Sequence, residues 1–551
     1  MISNSMQEQV LDHEEIEWQL EAVDLELVDN WLKEHPSGAG VAVVRGRASE
    51  LSDVYYDTDD WRFFRAGYAV RVRNTDGERA EATMKARVPA EGGLRRRREI
   101  SEPLEGIETL KGIPGPVGDR VRRLAGTADV HPLFEVRTRR RTFALRTETP
   151  SSGEIVEDPS GTIRQQNSEQ DATVVAEIAL DESEIFEGGG ASTHLSRIEV
   201  EVGSDAAIHD GVGDFVQVLR QALKLRPTRR SKFRTGLSVA GLSPQVAPDL
   251  GPTKIEATLS CGEVAFAILR RHFAEMLAHE PGVRLGEDPE ELHDMRVATR
   301  RLRAALKLYS DFLPKRSERY ERDLRWVGGA LGEVRDLDVH LQRLSEESSR
   351  KGEVLEEIVY LLRERRVEAR RRMLEALDSN RYERLIASFS ATLRRGRSPT
   401  PSDPILEAAP ELVRDRYKKV RKAANTLSED SPPEHFHDLR KKGKRLRYTM
   451  EPLQEIYAKP AKKMVKLLKK IQDDLGDHQD LIVASGLMEE LGCAGNRPPQ
   501  AAFWMGSMAE GYGREAAEIR SVFLGSKPLR TLKDGKAWKN LRKQLEKRAG
   551  G

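Results

Sequence analysis

His293-Asp294-Met295-Arg296 reappears as His437-Asp438-Leu439-Arg440, and Arg300-Arg301-Leu302-Arg303 as Lys444-Arg445-Leu446-Arg447. Arg319, Arg322 and Arg325 return as Lys463, Lys466 and Lys469, and Leu331-Gly332 with Asp336 as Leu475-Gly476 with Asp480. Every pair is 144 residues apart. One offset kept across four separate blocks indicates a duplicated structural unit. From about 254 to 525 apolar residues recur at three and four positions, so each copy, about 254–400 and 401–525, predicts a helical bundle.

The duplicated blocks carry cations at helical spacing. His293, Arg296, Arg300, Arg303 and Lys307 step by three and four and share one face, as do His437, Arg440, Lys444 and Arg447. Arg319, Arg322 and Arg325 line a second helix, and Lys463, Lys466 and Lys469 its copy. Such rows repel themselves unless an anion lies along them. Few acids interrupt them, which argues against ion-pair ladders. The fitting ligand is a long, flexible, regularly charged polyanion, with Arg giving bidentate phosphate contacts and Lys point charges. The stripes contain almost no aromatic residues to stack on bases, which favours a phosphate polymer over nucleic acid. These duplicated His-x-x-Arg-x-x-x-Arg/Lys-Arg-Leu-Arg helices resemble the CHAD domain over roughly 254–525. The resemblance implies two pseudo-symmetric bundles whose basic faces meet in a polyphosphate-binding channel. His293 and His437 fall at signature positions, and a plain packing role for both stays open.

Residues 1–243 read differently. Alternating or β-branched stretches at 15–20, 68–73, 82–85 and 197–202 predict short strands, with helices near 24–34 and 211–223 and a long exposed loop over 148–172. The expected fold is α+β, an antiparallel barrel or sandwich with helices attached, followed by an all-α domain. Residues 244–253 form a proline-punctuated linker, and 526–551 a basic tail expected to fray.

Strand alternation sorts charge in this half. Glu15, Glu17 and Gln19 share a face, as do Arg71 with Arg73, Thr83 with Lys85, and Glu199 with Glu201; Arg140 sits in a further alternating stretch. Acids on some strands and bases on others suit a metal–triphosphate. The order Glu15-x-Glu17, Tyr55-Tyr56-Asp57-Thr58, Arg71-x-Arg73, Thr83-x-Lys85, Arg140, Glu199-x-Glu201 and Ser231-Lys232 resembles the CYTH family, the triphosphate tunnel metalloenzymes, over roughly 11–240. That resemblance implies a barrel enclosing a triphosphate tunnel. Glu15, Glu17, Glu199 and Glu201 would bind Mg²⁺ or Mn²⁺, with either Glu177 or Asp181 as a further metal ligand. Arg71, Arg73, Lys85, Arg140 and Lys232 would hold the phosphate chain, and Glu15, Glu17 and Lys85 are the candidate catalytic residues.

Where the family has lysine this chain has Gln19. Losing one charge-assisted contact costs about 1.5–3 kcal/mol, on the order of 10–100-fold in rate. Two functions follow: metal-dependent hydrolysis of tripolyphosphate or polyphosphate, or polyphosphate binding at a degraded site. Adenylyl cyclase and thiamine-triphosphatase activities also occur among CYTH relatives, and the tunnel residues do not separate them.

Composition sets the remaining bounds. The net charge of +1 hides a split, 43 acids against 32 bases in residues 1–250 and 47 against 59 in 251–551, so the basic half is the one expected to face an anion. Two cysteines without a CxxC, a polar acidic N-terminus and no long apolar run predict a cytoplasmic protein, with phosphate granules as a candidate address.

Overall fold

The computed structural model describes residues 11–38, 40–104, 109–147, 155–157, 163–165, 173–186, 192–202, 209–228, 230–245, 248–348, 352–398, 403–493 and 499–549. The chain divides into two compact units, Met1–Val246 and Ala247–Gly551.

Eight strands build the barrel of the first unit: β1 (Leu11–Glu21), β2 (Val41–Asp57), β3 (Tyr68–Thr75), β4 (Arg79–Ala86), β5 (Leu94–Leu104), β6 (His131–Thr147), β7 (Val174–Phe186) and β8 (Ser192–Val202). They pair antiparallel in the order β8-β7-β6-β2-β3-β4-β5-β1, and β1 pairs with β8, so the sheet closes into a barrel with no free edge. Side chains alternate along β1. Ile16 and Leu20 turn outward and pack with Ile178, Val200, Phe215 and Leu219 beneath helices α1 (Leu25–Glu34) and α3 (His209–Leu223). Glu15, Glu17 and Gln19 therefore turn inward. Apolar residues cover the outside of this seam and charges fill the lumen, the reverse of a barrel packed around an apolar core. Helix α2 (Pro116–Ala125) lies between β5 and β6 in the chain. Helix α4 (Lys232–Val239) begins at Ser231, whose Oγ accepts from the Arg234 amide at 3.3 Å. Most of 148–172, expected as a loop, lies outside the described residues; within it Ile155–Glu157 pairs with Ile163–Gln165.

The second unit is helical: α5 (Cys261–Leu285), α6 (Pro289–Leu308), α7 (Ser317–Ser348), α8 (Gly352–Leu377), α9 (Asn380–Arg395), α10 (Ile405–Asn425), α11 (Pro433–Cys493), α12 (Pro499–Leu524), α13 (Lys527–Asp534) and α14 (Lys536–Ala549). The 144-residue offset extends to helix boundaries, because α5 and α10 start at 261 and 405 and α6 and α11 at 289 and 433. Helix α11 breaks at Ala458, with φ 41° and ψ −117°. The break falls at the position equivalent to Pro314, which lies in the turn between α6 and α7.

The basic end is not a frayed tail. It forms α13 and α14, with Leu529, Leu532, Leu541 and Leu545 fully buried. Trp538 stacks on Tyr417 at 4.6 Å between ring centroids. Leucines at three- and four-residue spacing beneath the lysines supply the apolar stripe that a count of charges passes over.

Candidate functional site

The barrel encloses a cavity of about 700 Å³ lined by Glu15, Glu17, Gln19, Arg71, Arg73, Lys85, Arg140, Glu199, Glu201 and Lys232 among others. These are the sequence-predicted tunnel residues other than Asp181 and Glu177, gathered from five strands and the start of α4. They neutralise one another. Lys85 donates to Glu15 at 2.8 Å, Arg97 to Glu15 at 2.7 Å and to Glu17 at 2.6 Å. Arg140 holds Asp181 through two bonds of 2.8 and 2.7 Å and Glu199 at 2.8 Å, while Lys232 pairs with Asp181 and, at 3.2 Å, with Glu199.

The pairing is uneven. Burial works against charge on Glu15, yet Lys85 and Arg97 outweigh it and hold the carboxyl well below its ordinary range. Lys232 and Arg140 do the same for Glu199. Glu17 goes the other way, because burial and then the Glu15 and Glu199 carboxylates outweigh Arg97 and raise its pKa. Glu201, reached by solvent yet ringed by protein, is pushed up to about 7 by desolvation and by Glu15. Glu17 and Glu201 stand directly opposite across the β1–β8 seam, two carboxyls that share one paired cation, Arg97 on Glu17, while Glu201 holds none among the described residues. Hard oxygen donors with so little positive charge around them fit Mg²⁺ or Mn²⁺. Among the described residues no three acids, histidines or cysteines already converge as a metal site; Glu15, Glu17 and Glu199 turn oxygens toward Arg97, Lys85, Arg140 and Lys232 instead.

Asp181, expected as a candidate metal ligand, is fully buried with both oxygens held by Arg140 and Lys232. It orients cations. Glu177 lies on the same strand face, opposite Glu201, and is exposed. Sequence reasoning missed Asp53, which is fully buried and holds Arg73 at 2.7 and 2.8 Å and Arg71 at 3.3 Å. It also missed Arg95, Arg97 and Glu99, which alternate into the lumen along β5. The signal was present in Leu94-Arg95-Arg96-Arg97-Arg98-Glu99, a run that reads as a patch unless β alternation is applied to it.

In the helical unit α6 and the first part of α11 bring cations of the two repeats together. Arg300 donates to the Tyr448 hydroxyl at 3.2 Å. Lys444 is pushed down to about 7 by burial and by Arg440, Arg300, Arg447 and Arg296 around it. Arg296 reaches Asp336 at 3.2 Å. His293 and His437 are half-buried, and their pKa values are lowered by burial and then by Arg335 and Lys441, respectively. The expectation of no ion-pair ladder fails in the first repeat: Arg325 pairs with Glu321 at 2.9 Å and Arg319 with Asp323 at 3.6 Å, each four residues away. Glu321 also takes Arg303 and Lys307, both at 3.4 Å. The equivalent positions of the second repeat are Val465 and Leu467. There Lys463, Lys466 and Lys469 are exposed and carry no ion pair among the described residues, while Arg447 pairs with Glu451 at 3.1 Å. Arg322 is exposed.

A closed antiparallel barrel lined with sorted charges and a duplicated basic helical unit define a two-domain protein. Family models assign each half: a CYTH domain matches residues 29–234 and a CHAD domain residues 267–489, so this chain carries both. Both kinds of domain are associated with polyphosphate or triphosphate binding. An uncharacterized protein of Mycobacterium tuberculosis is 27% identical over 505 residues, covering 87% of this chain and 90% of its own. The CHAD domain from the plant Ricinus communis is 27% identical, with TM-score 0.44, over 51% of this chain and 96% of that one. The Hippeastrum protein HpAC1, described as having a dominant triphosphatase activity, is 17% identical, with TM-score 0.29, over 42% of this chain and 98% of its own. Among the described residues no helix is long and apolar enough to cross a membrane.

Proposed function

We propose that this chain hydrolyses phosphoanhydride bonds of tripolyphosphate or polyphosphate in the barrel, with the helical unit capturing the polymer. One observation carries the reading: acids and cations share one cavity inside the barrel, with Glu17 paired with one cation, Arg97, and Glu201 with no cation among the described residues. Glu15, Glu17, Glu199 and Glu201 would hold the divalent ion, which supplies positive charge against the charge developing on the transferring phosphate. Arg71, Arg73, Lys85, Arg140 and Lys232 grip phosphate oxygens, exchanging their carboxylates for the ligand and fixing the chain for in-line attack. Asp53 and Asp181 keep those cations in place.

Phosphate release from tripolyphosphate with Mg²⁺ or Mn²⁺ tests this, with Glu15→Gln and Glu17→Gln as controls. Wild type should exceed both variants by at least tenfold. Equal, slow release from all three sinks the enzymatic reading.

Gln19 favours a second reading, a polyphosphate binder without catalysis, perched on phosphate granules. Its amide Nε2 donates to Glu17 at 2.9 Å and to Glu199 at 3.4 Å, so it bridges acids without adding charge. A large gain of hydrolysis in Gln19→Lys would support it, and little change would favour a compensated, working site. For the helical unit, RNA displacing long-chain polyphosphate at equal phosphate concentration would overturn the preference for a ligand without bases.

A further inference from the structure

We propose that Arg95 is a phosphate-gripping cation of the tunnel and supplies the positive charge that position 19 lacks; this rests on the phosphate-chain reading above. Arg95 is 4% exposed and lines the cavity. Arg71, Arg73, Lys85, Arg97, Arg140 and Lys232, which share the wall with it, each hold a carboxylate. Arg95 holds none among the described residues, and its buried Nε has no hydrogen-bond partner. A guanidinium withdrawn from water without a counter-ion is unfavourable. Burial, reinforced by Arg97, accordingly lowers the pKa of Arg95.

The register places this group beside Gln19. Arg95 lies opposite Glu17 in the β1–β5 pair. Gln19 is two residues along β1 on the same face, which makes it a diagonal neighbour within reach of a long side chain. Gln19 spends its amide hydrogens on Glu17 and Glu199, and its buried Oε1 has no donor. Position 19 thus ties two acids together while contributing no charge. Arg95 carries charge and is tied to nothing. Those six cations must release a carboxylate to take a phosphate oxygen; Arg95 releases nothing. A phosphate chain lying along β1 and β5 meets it as a ready donor, and the ligand's negative charge relieves the burial penalty. The chemistry it recognises is a bare phosphoryl oxygen of a di- or triphosphate.

The test measures tripolyphosphate binding to the full chain by calorimetry in EDTA. All arms carry Arg440→Ala and Lys444→Met, so that binding by the helical unit is suppressed. Arg95→Met should lose about 10–100-fold in affinity, the loss of one charge-assisted contact. Its melting temperature should stay level or rise, because an unpaired buried charge is removed. Arg96→Met, on the exposed outer face of β5, should change affinity less than twofold. Arg95→Met combined with Gln19→Lys should recover most of the loss, as lysine at 19 reaches the same volume. Arg95→Met binding as tightly as its parent overturns the inference. So does a fall in melting temperature with no recovery by lysine, which would mark Arg95 as a packing residue. If the parent itself fails to bind tripolyphosphate, the tunnel reading falls first and takes this inference with it.

Discussion

Cys261 and Ile405 make the same hydrogen bond, each into the other repeat: the Cys261 amide donates to the Asp403 carbonyl at 3.0 Å, and the Ile405 amide to the Leu259 carbonyl at 2.9 Å. Residues 259 and 403, like 261 and 405, differ by the repeat offset of 144. The pair therefore sits on a local two-fold axis relating the helical repeats. Equivalent residues that approach each other must lie near such an axis, and Arg300 and Lys444 are equivalent and close enough to repel. Symmetry concentrates the basic stripes: each copy delivers its cations to one place.

That crowding predicts that Lys444 takes up a proton when polyphosphate binds. Its pKa falls from 10.5 to about 7, first by burial and then by the neighbouring arginines. The unfolded chain keeps its proton to higher pH, so stability rises with pH from about 7 toward the ordinary lysine range. Lys444→Met should therefore melt higher than wild type at pH 6, by roughly 2–4 °C for each 1 kcal/mol relieved. The difference should shrink toward pH 10. Polyphosphate supplies negative charge and favours the ammonium, so binding at pH 8 should take up protons in wild type and fewer in the variant. Calorimetry in two buffers of different ionisation enthalpy measures this. Equal proton uptake in both proteins would refute the assignment.

In the first repeat Glu321 collects Arg303, Lys307 and Arg325 and competes with any polyanion for them. Glu321→Gln should strengthen long-chain polyphosphate binding by about 2–5-fold, the scale of partly exposed ion pairs. Titrations at fixed salt show the gain. Weaker binding would mean that Glu321 holds these cations in their binding geometry.

How much of this was legible in the sequence follows from period and offset. The 144-residue repeat located α6 and the start of α11, because duplicated motifs survive whatever the chain does between them. Period-two charge located Glu15, Glu17, Arg71, Arg73 and Lys85, since a barrel seam keeps strict alternation. Asp53 stayed hidden because a single acid in Ser52-Asp53-Val54 has no pattern, and its meaning depends on β3 lying beside β2. Glu321 and Asp323 were underweighted because a stripe of cations drew attention from acids one turn away. Lysines at 527, 533, 536 and 539 concealed the four leucines that fold the C-terminal helices.

The paired Leu-Gly motifs also acquire a physical role. A side chain at Gly332 would meet the Arg296 guanidinium at 3.4 Å, and one at Gly476 the Arg440 guanidinium at 3.4 Å. These glycines let an arginine lie across the neighbouring helical segment, α6 against α7 in the first repeat and the two parts of α11 on either side of Ala458 in the second. Gly476→Val should push Arg440 aside and reduce polyphosphate affinity several-fold. Melting should change little, since the position is helical and Val exceeds Gly in helix propensity. Unchanged binding in Gly476→Val would remove the cradle from the account.

The last helices supply a stability prediction that separates a tail from a structural element. Leu541 is fully buried in α14, which packs with α10 and α11. The Tyr417 hydroxyl on α10 donates to the Leu532 carbonyl of α13 at 3.2 Å. A frayed basic segment could lose such a leucine at no cost. Here Leu541→Ala should cost about 2–5 kcal/mol, the range for a buried leucine whose site cannot collapse. Urea unfolding followed by helical circular dichroism measures it, with Lys539→Ala, an exposed change on the same helix, expected within about 0.5 kcal/mol of wild type. Polyphosphate should stabilise both variants by similar amounts, because neither residue lies among the cations assigned to the ligand. Comparable small effects from Leu541→Ala and Lys539→Ala would return the segment to the status of a tail.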